Sequence, residues 1–96
     1  MNKLNTEELA HQMESLDVHW DISYGFLARD FEFKDFVEAF EFMKLVAVIA
    51  EEHNHHPNWE NVYNNLLIRL RTHDADGITV KDISLAKEID RIFEEL

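Results

Sequence analysis

Between Asp35 and about Glu52 the sequence carries a long helical pattern with two apolar stripes side by side. Phe36, Phe40, Met43, Ala47 and Ala50 form one stripe, and Ala39, Phe42, Val46 and Ile49 form the next. Only a narrow polar strip of Lys34, Glu38, Glu41, Lys44 and Glu51 remains, so this helix needs cover on more than one side. A sheet would hide one stripe, while Leu45 and Val48 hint at contact with another helix or a second subunit. A central core helix within one monomer is equally compatible with the periodicity. Asp35 followed by Glu38 reads as a capping box and marks where the helix begins.

The segments on either side alternate with a period of two. Val18, Trp20 and Ile22 interleave with His19, Asp21 and Ser23 as in a half-buried strand, Gly25 signals a turn, and Phe26 to Phe33 reads as the returning strand of a hairpin. After Pro57, the runs Trp59 to Tyr63 and Leu66 to Thr72 flank Asn64-Asn65, residues that tolerate positive φ, which predicts a second hairpin. Leu66, Ile68 and Leu70 share one face and Arg69 and Arg71 the other. Near the start, Thr6 is the candidate cap of a short helix with Leu9, Met13 and Leu16 on its apolar edge. Near the end, Asp74-Ala75-Asp76-Gly77 makes a turn and Thr79 caps a closing helix whose apolar face is Leu85, Ala86, Ile89, Ile92, Phe93 and Leu96. The order is α-β-β-α-β-β-α. An α+β sandwich of two layers, a four-stranded antiparallel sheet with its helices on one face, is the simplest way to bury these stripes.

Length and composition narrow the functional classes. The 96 residues suffice for one domain, 1–96, with no linker or repeat to divide it. Cysteine is absent, which removes disulfides, thiolate metal sites and a cysteine nucleophile. Twenty acids against nine bases, a formal charge of −11, oppose direct binding to nucleic acid. No charge-free run is long enough to cross a bilayer, and no leader pattern opens the chain, so the expectation is a soluble, cytoplasmic protein without a membrane partner.

Six histidines are many for this length, and His53, His55, His56 and His73 gather around the only proline. Histidine titrates near about 6.5 when unperturbed, so it both gives and accepts a proton at cellular pH. A hairpin starting just after His55 and His56 and ending at His73 would bring these imidazoles together. Other readings stay open here. The loop can carry histidines as plain polar groups; His53, His55, His56, His73 and Glu51 are legitimate zinc ligand types, though without an H-E-x-x-H spacing; and Asp82, three residues after Thr79, fits a simple helix cap.

The run Glu51-Glu52-His53-Asn54-His55-His56-Pro57, followed by Tyr63, His73 and Asp82, resembles the signature of the pterin-4a-carbinolamine dehydratase family, which includes dimerisation cofactors of a homeodomain transcription factor. The similarity extends over Trp20, Phe31-Glu32-Phe33, Asp35-Phe36, Asn61-Val62-Tyr63-Asn64, Thr72-His73-Asp74, Gly77-Ile78-Thr79, Asp82-Ile83 and Leu85-Ala86, nearly the whole chain.

The resemblance implies a hydro-lyase that takes 4a-hydroxytetrahydropterin to quinonoid dihydropterin and water, with neither metal nor organic cofactor, in support of aromatic amino acid hydroxylases. Its implied catalytic set is His55, His56, His73 and Asp82: His55 and His73 as the acid–base pair, His56 chiefly binding substrate, and Asp82 orienting a histidine. Glu51 and Trp59 are implied to contact the pterin, Trp59 serving equally well as core filler. Homodimer or homotetramer assembly is implied as well. A second implied role is that of a non-catalytic dimerisation or transcriptional co-regulator module, for which the broad apolar helix speaks.

Overall fold

Three helices start where a short polar side chain meets the free N–H groups of a first turn, each cap contributing on the order of 1 kcal/mol. The computed structural model describes residues 1–96. Helix α1 (Thr6–Met13) is capped by Asn5, whose Oδ1 accepts the Glu8 N–H at 2.8 Å while Glu8 Oε1 accepts the Asn5 N–H at 2.9 Å. The cap therefore lies one residue before the expected Thr6, because only Asn5 has an acid three positions on to return the bond. Helix α2 (Phe36–His53) is capped by Asp35, but the Glu38 carboxylate reaches back to the Lys34 N–H, so the expected box is half formed. Helix α3 (Val80–Glu94) begins at Thr79, with Asp82 completing its capping box.

The strands are β1 (Asp21–Ser23), β2 (Phe26–Glu32), β3 (Asn58–Val62) and β4 (Asn65–Leu70), all antiparallel in the order β1-β2-β4-β3. The β1–β2 loop is Tyr24-Gly25, both at positive φ as a primed hairpin turn demands. In the β3–β4 loop, Tyr63 takes the positive φ of 53°, and the expected pair Asn64-Asn65 does not; Asn65 already pairs with Val62.

The first strand is shorter than its alternation predicts. Val18 is 91% exposed and lies in a turn, because Asp17 Oδ1 accepts the His19 N–H at 2.8 Å and bends the chain there. Trp20 is buried nevertheless, held by the Asp90 carboxylate 2.7 Å from its Nε1 and by an edge contact with Phe31.

One face of the sheet carries Leu27, Phe31, Leu66, Ile68 and Leu70, all essentially sealed from solvent. Onto it pack the Ala39, Phe42, Val46 and Ile49 stripe of α2 and Ile83, Leu85, Ala86, Ile89 and Ile92 of α3. Phe31 sits 5.1 Å, centroid to centroid, from both Phe42 and Phe93. The expected second stripe divides: Ala50 is buried and Met43 packs against the core, whereas Phe36, Phe40 and Ala47 are exposed, together with Val37, Leu45 and Val48. At the N-terminus the Leu4 N–H bonds to the Ile78 carbonyl at 2.8 Å, lacing the first residues to the loop before α3.

Candidate active site

The position of His55 follows from how α2 stops. Asn54 takes the left-handed conformation at φ 50°, its N–H bonds to the Glu51 carbonyl, and the His55 N–H closes onto the Ala50 carbonyl at 3.0 Å. This pair of bonds is a Schellman motif, which fixes the backbone of His55 against the helix end. Pro57 then admits no continuation of the helix, and β3 starts at Asn58. Across the hairpin, the chain leaving β4 makes an isolated bridge between Thr72 and Gly77, and His73 opens the single 3₁₀ turn His73–Ala75 inside that bridge.

These two chain ends enclose a cleft of about 490 Å³ lined by His55, His56, His73, Asn54, Pro57, Asn58, Arg71, Thr72, Asp74 and Lys81. The lining is wholly polar but for the proline. The three imidazoles differ in their surroundings. His55 is buried and its Nε2 lies 2.5 Å from Asp82 Oδ1. His56 is exposed and its Nε2 is 2.5 Å from Glu51 Oε2, while His73 is exposed and carries no protein hydrogen bond from its ring.

Asp82 is the buried centre of the arrangement. It has no exposed surface, and its second oxygen accepts the Thr79 N–H and the Thr72 hydroxyl, each at 2.8 Å. An isolated carboxylate at such a depth costs several kcal/mol, so these donors are what makes its charge tolerable there. The helix-cap reading and the histidine-orienting reading of Asp82 thus describe the same side chain: one oxygen caps α3 and the other faces His55.

Glu51 stands outside the cleft wall and meets it through His56. Trp59 is directed to the inner face of β3, opposite Ile68, and packs against the hydrophobic core rather than lining the cleft. His53 lines an adjoining hollow of about 240 Å³ with His55, Val80, Lys81 and Ser84. His11 and His19 lie far from the cleft, His19 beside Asp17. No three His, Asp or Glu side chains are grouped as a metal site requires.

Seven lining residues were not marked as site residues by the sequence, Asn54, Pro57, Asn58, Arg71, Thr72, Asp74 and Lys81, and of these Thr72, Arg71 and Lys81 bear most on the chemistry. For Thr72 a signal existed. Continuing the inward alternation of Leu66, Ile68 and Leu70 by two places puts a hydroxyl on the buried face, which demands a polar partner. Arg71 and Lys81 bring two cations to the cleft of an otherwise strongly acidic chain, Arg71 paired with Asp76. Nothing in their local sequence marks them.

The comparison with known proteins accords with this geometry. The profile of the pterin 4 alpha carbinolamine dehydratase family matches residues 2–92. A Prochlorococcus marinus (strain MIT 9515) protein provisionally named pterin-4-alpha-carbinolamine dehydratase is 49% identical over 92 residues, covering 96% of this chain and 95% of that protein. A Burkholderia vietnamiensis (strain G4 / LMG 22486) protein of the same provisional name is 49% identical over 94 residues, covering 96% and 91%. A crystal structure from Brucella melitensis, described as a transcriptional coactivator/pterin dehydratase, superposes with a TM-score of 0.90 at 38% identity, covering 95% of this chain and 98% of that one.

Proposed function

The chain belongs to the pterin 4 alpha carbinolamine dehydratase family, and from that premise we propose that it dehydrates a pterin-4a-carbinolamine by histidine acid–base catalysis in the cleft between Pro57 and His73. The reaction asks little of a protein. The C4a–O bond breaks, the departing hydroxyl takes a proton and leaves as water, and the ring gives up an N–H proton so that the quinonoid dihydropterin is neutral. One protonated and one neutral imidazole suffice, each positioned group typically worth ~10²–10⁴-fold.

The observation that carries this reading is the shared cleft of His55, His56 and His73, with the buried Asp82 carboxylate behind His55. In this scheme His55 and His73 exchange protons with the pterin. His56, braced by Glu51, binds it, and the Glu51 carboxylate has two acceptor oxygens to offer an amino-pyrimidine edge. Trp59 supports β3 from behind. No metal or organic cofactor enters the scheme, and its place is tetrahydropterin recycling behind an aromatic amino acid hydroxylase in the cytoplasm. Stopped-flow mixing with freshly generated 4a-carbinolamine tests it: faster loss of the carbinolamine absorbance with protein is the expected result, and an unchanged rate refutes it.

A second reading has its own observation. The exposed apolar strip Phe36, Val37, Phe40, Leu45 and Val48 on α2 is the kind of surface that mates with a second copy, as homodimer or homotetramer, or with a partner helix in a co-regulator role. Light scattering of the protein alone and mixed with a candidate partner distinguishes self-assembly from hetero-assembly.

A further inference from the structure

Behind His55 runs a chain of hydrogen bonds whose direction can be worked out from its chemistry. Asp82, as a carboxylate, only accepts, so the Thr72 hydroxyl must spend its single proton on Asp82 Oδ2 at 2.8 Å. The 2.7 Å contact between Thr72 Oγ1 and Thr79 Oγ1 then has Thr79 as donor. Thr79 Oγ1 in turn accepts the Lys81 N–H at 3.2 Å. All four links are buried or nearly so: Thr72, Thr79, Asp82 and His55 are each less than a tenth exposed. On the far side Asp82 Oδ1 faces His55 Nε2 at 2.5 Å, which must therefore carry hydrogen. His55 Nδ1 has no protein hydrogen-bond partner, and the His55 residue lines both the cleft with His56 and His73 and the adjoining hollow with His53 and Lys81.

From this arrangement we infer that Thr72 is a positioning residue: its hydroxyl, itself oriented by Thr79, locks the Asp82 carboxylate so that Oδ1 holds His55 as the Nε2–H tautomer with Nδ1 as the nitrogen presented to substrate. Two donors on Oδ2, the Thr79 N–H and the Thr72 hydroxyl, prevent the carboxylate from turning about its last torsion. With one of them removed, the second oxygen is free to seek another partner, and the hold on His55 loosens. The inference rests on the proposed acid–base role of His55 only where turnover is concerned; the tautomer is a property of the resting protein.

Two measurements on Thr72→Val and Thr72→Ser test it. Two-bond ¹H–¹⁵N correlation spectra of the wild type are expected to show His55 as a single Nε2–H tautomer, Thr72→Val a mixture, and Thr72→Ser the wild-type pattern. In the dehydration assay Thr72→Val is expected to lower kcat about tenfold, the rate equivalent of one lost hydrogen bond, with KM within about twofold and Thr72→Ser restoring kcat. If Thr72→Val folds poorly by circular dichroism, Thr72→Ala carries the same test. A folded Thr72→Val with the wild-type tautomer overturns the inference, as does an Nδ1–H tautomer in the wild type. A wild type without dehydratase activity refutes the proposed reaction, and the spectra still decide the role of Thr72.

Discussion

At His55 the surroundings decide what the imidazole can do. Its backbone is fixed by the end of α2, one ring nitrogen is committed to a buried carboxylate, and the other is left to the cleft. In the proposed scheme each of these rings carries a proton, so His55→Ala and His73→Ala are each expected to lower kcat by a factor on the order of 10² or more in the stopped-flow assay. His19→Ala, beside Asp17 at a distant turn, serves as the control and is expected to leave kcat unchanged. At this scale the sequence was informative about which side chains share a place, because two hairpin ends must meet wherever the hairpin forms. It was silent on what each ring touches. His55 and His56 are neighbours in sequence, yet one ring meets buried Asp82 and the other exposed Glu51.

Elements owe their existence to pattern and their ends to single residues. The apolar alternation of β4 and the stripe Ala39-Phe42-Val46-Ile49 were legible because burial imposes a period on them. The reach of β1 was not, since a period of two also arises where a tryptophan is buried by other means. Those means are a network: Asp90 accepts from Trp20 Nε1 and Arg29 Nη1, each at 2.7 Å, and from the Asp17 N–H at 3.1 Å, tying α3, β2 and the chain before β1 together. Arg29 also lies 4.4 Å from the Phe31 ring centroid. Asp90→Ala removes the close partner of the buried Arg29 guanidinium, leaving it only the Asp17 carboxylate 3.5 Å away, and is expected to cost about 3 kcal/mol in urea unfolding. Phe42→Ala, which empties the space between Phe31, Phe33 and Phe93, is expected to cost about 3–5 kcal/mol as well, and because Arg29 lies over both Phe31 and Phe93 the double variant is expected to depart from the sum of the two.

For the molecule as a whole, pH and assembly are the relevant variables. The His19 N–H, with help from the His19 ring and the Arg29 guanidinium, holds the Asp17 carboxyl below its ordinary value of 3.8. A carboxyl depressed in the folded state adds stability above its unfolded pKa and loses it as pH falls through the folded one. Asp17→Asn is therefore expected to lower the urea midpoint at pH 7, with the gap to wild type closing below about pH 4. Assembly is read from the uncovered side of α2. Phe40→Glu places a charge in the middle of that strip and is expected to shift the light-scattering mass toward the monomer, with the far-ultraviolet spectrum unchanged. The width of the apolar arc on α2 was legible, whereas nothing in a single sequence says which stripe the sheet will take.

The order of strands in the sheet has a consequence for how the protein is made. Leu27 pairs with Leu70 and Phe31 with Leu66, so the central seam joins segments that the ribosome releases far apart in time. Until β4 and α3 have emerged, the first hairpin and α2 have only each other for cover, chiefly Phe31 against Phe42. Topology of this kind slows folding relative to a helical bundle of equal size, and it leaves the core open during synthesis until β4 and then α3 arrive to close it.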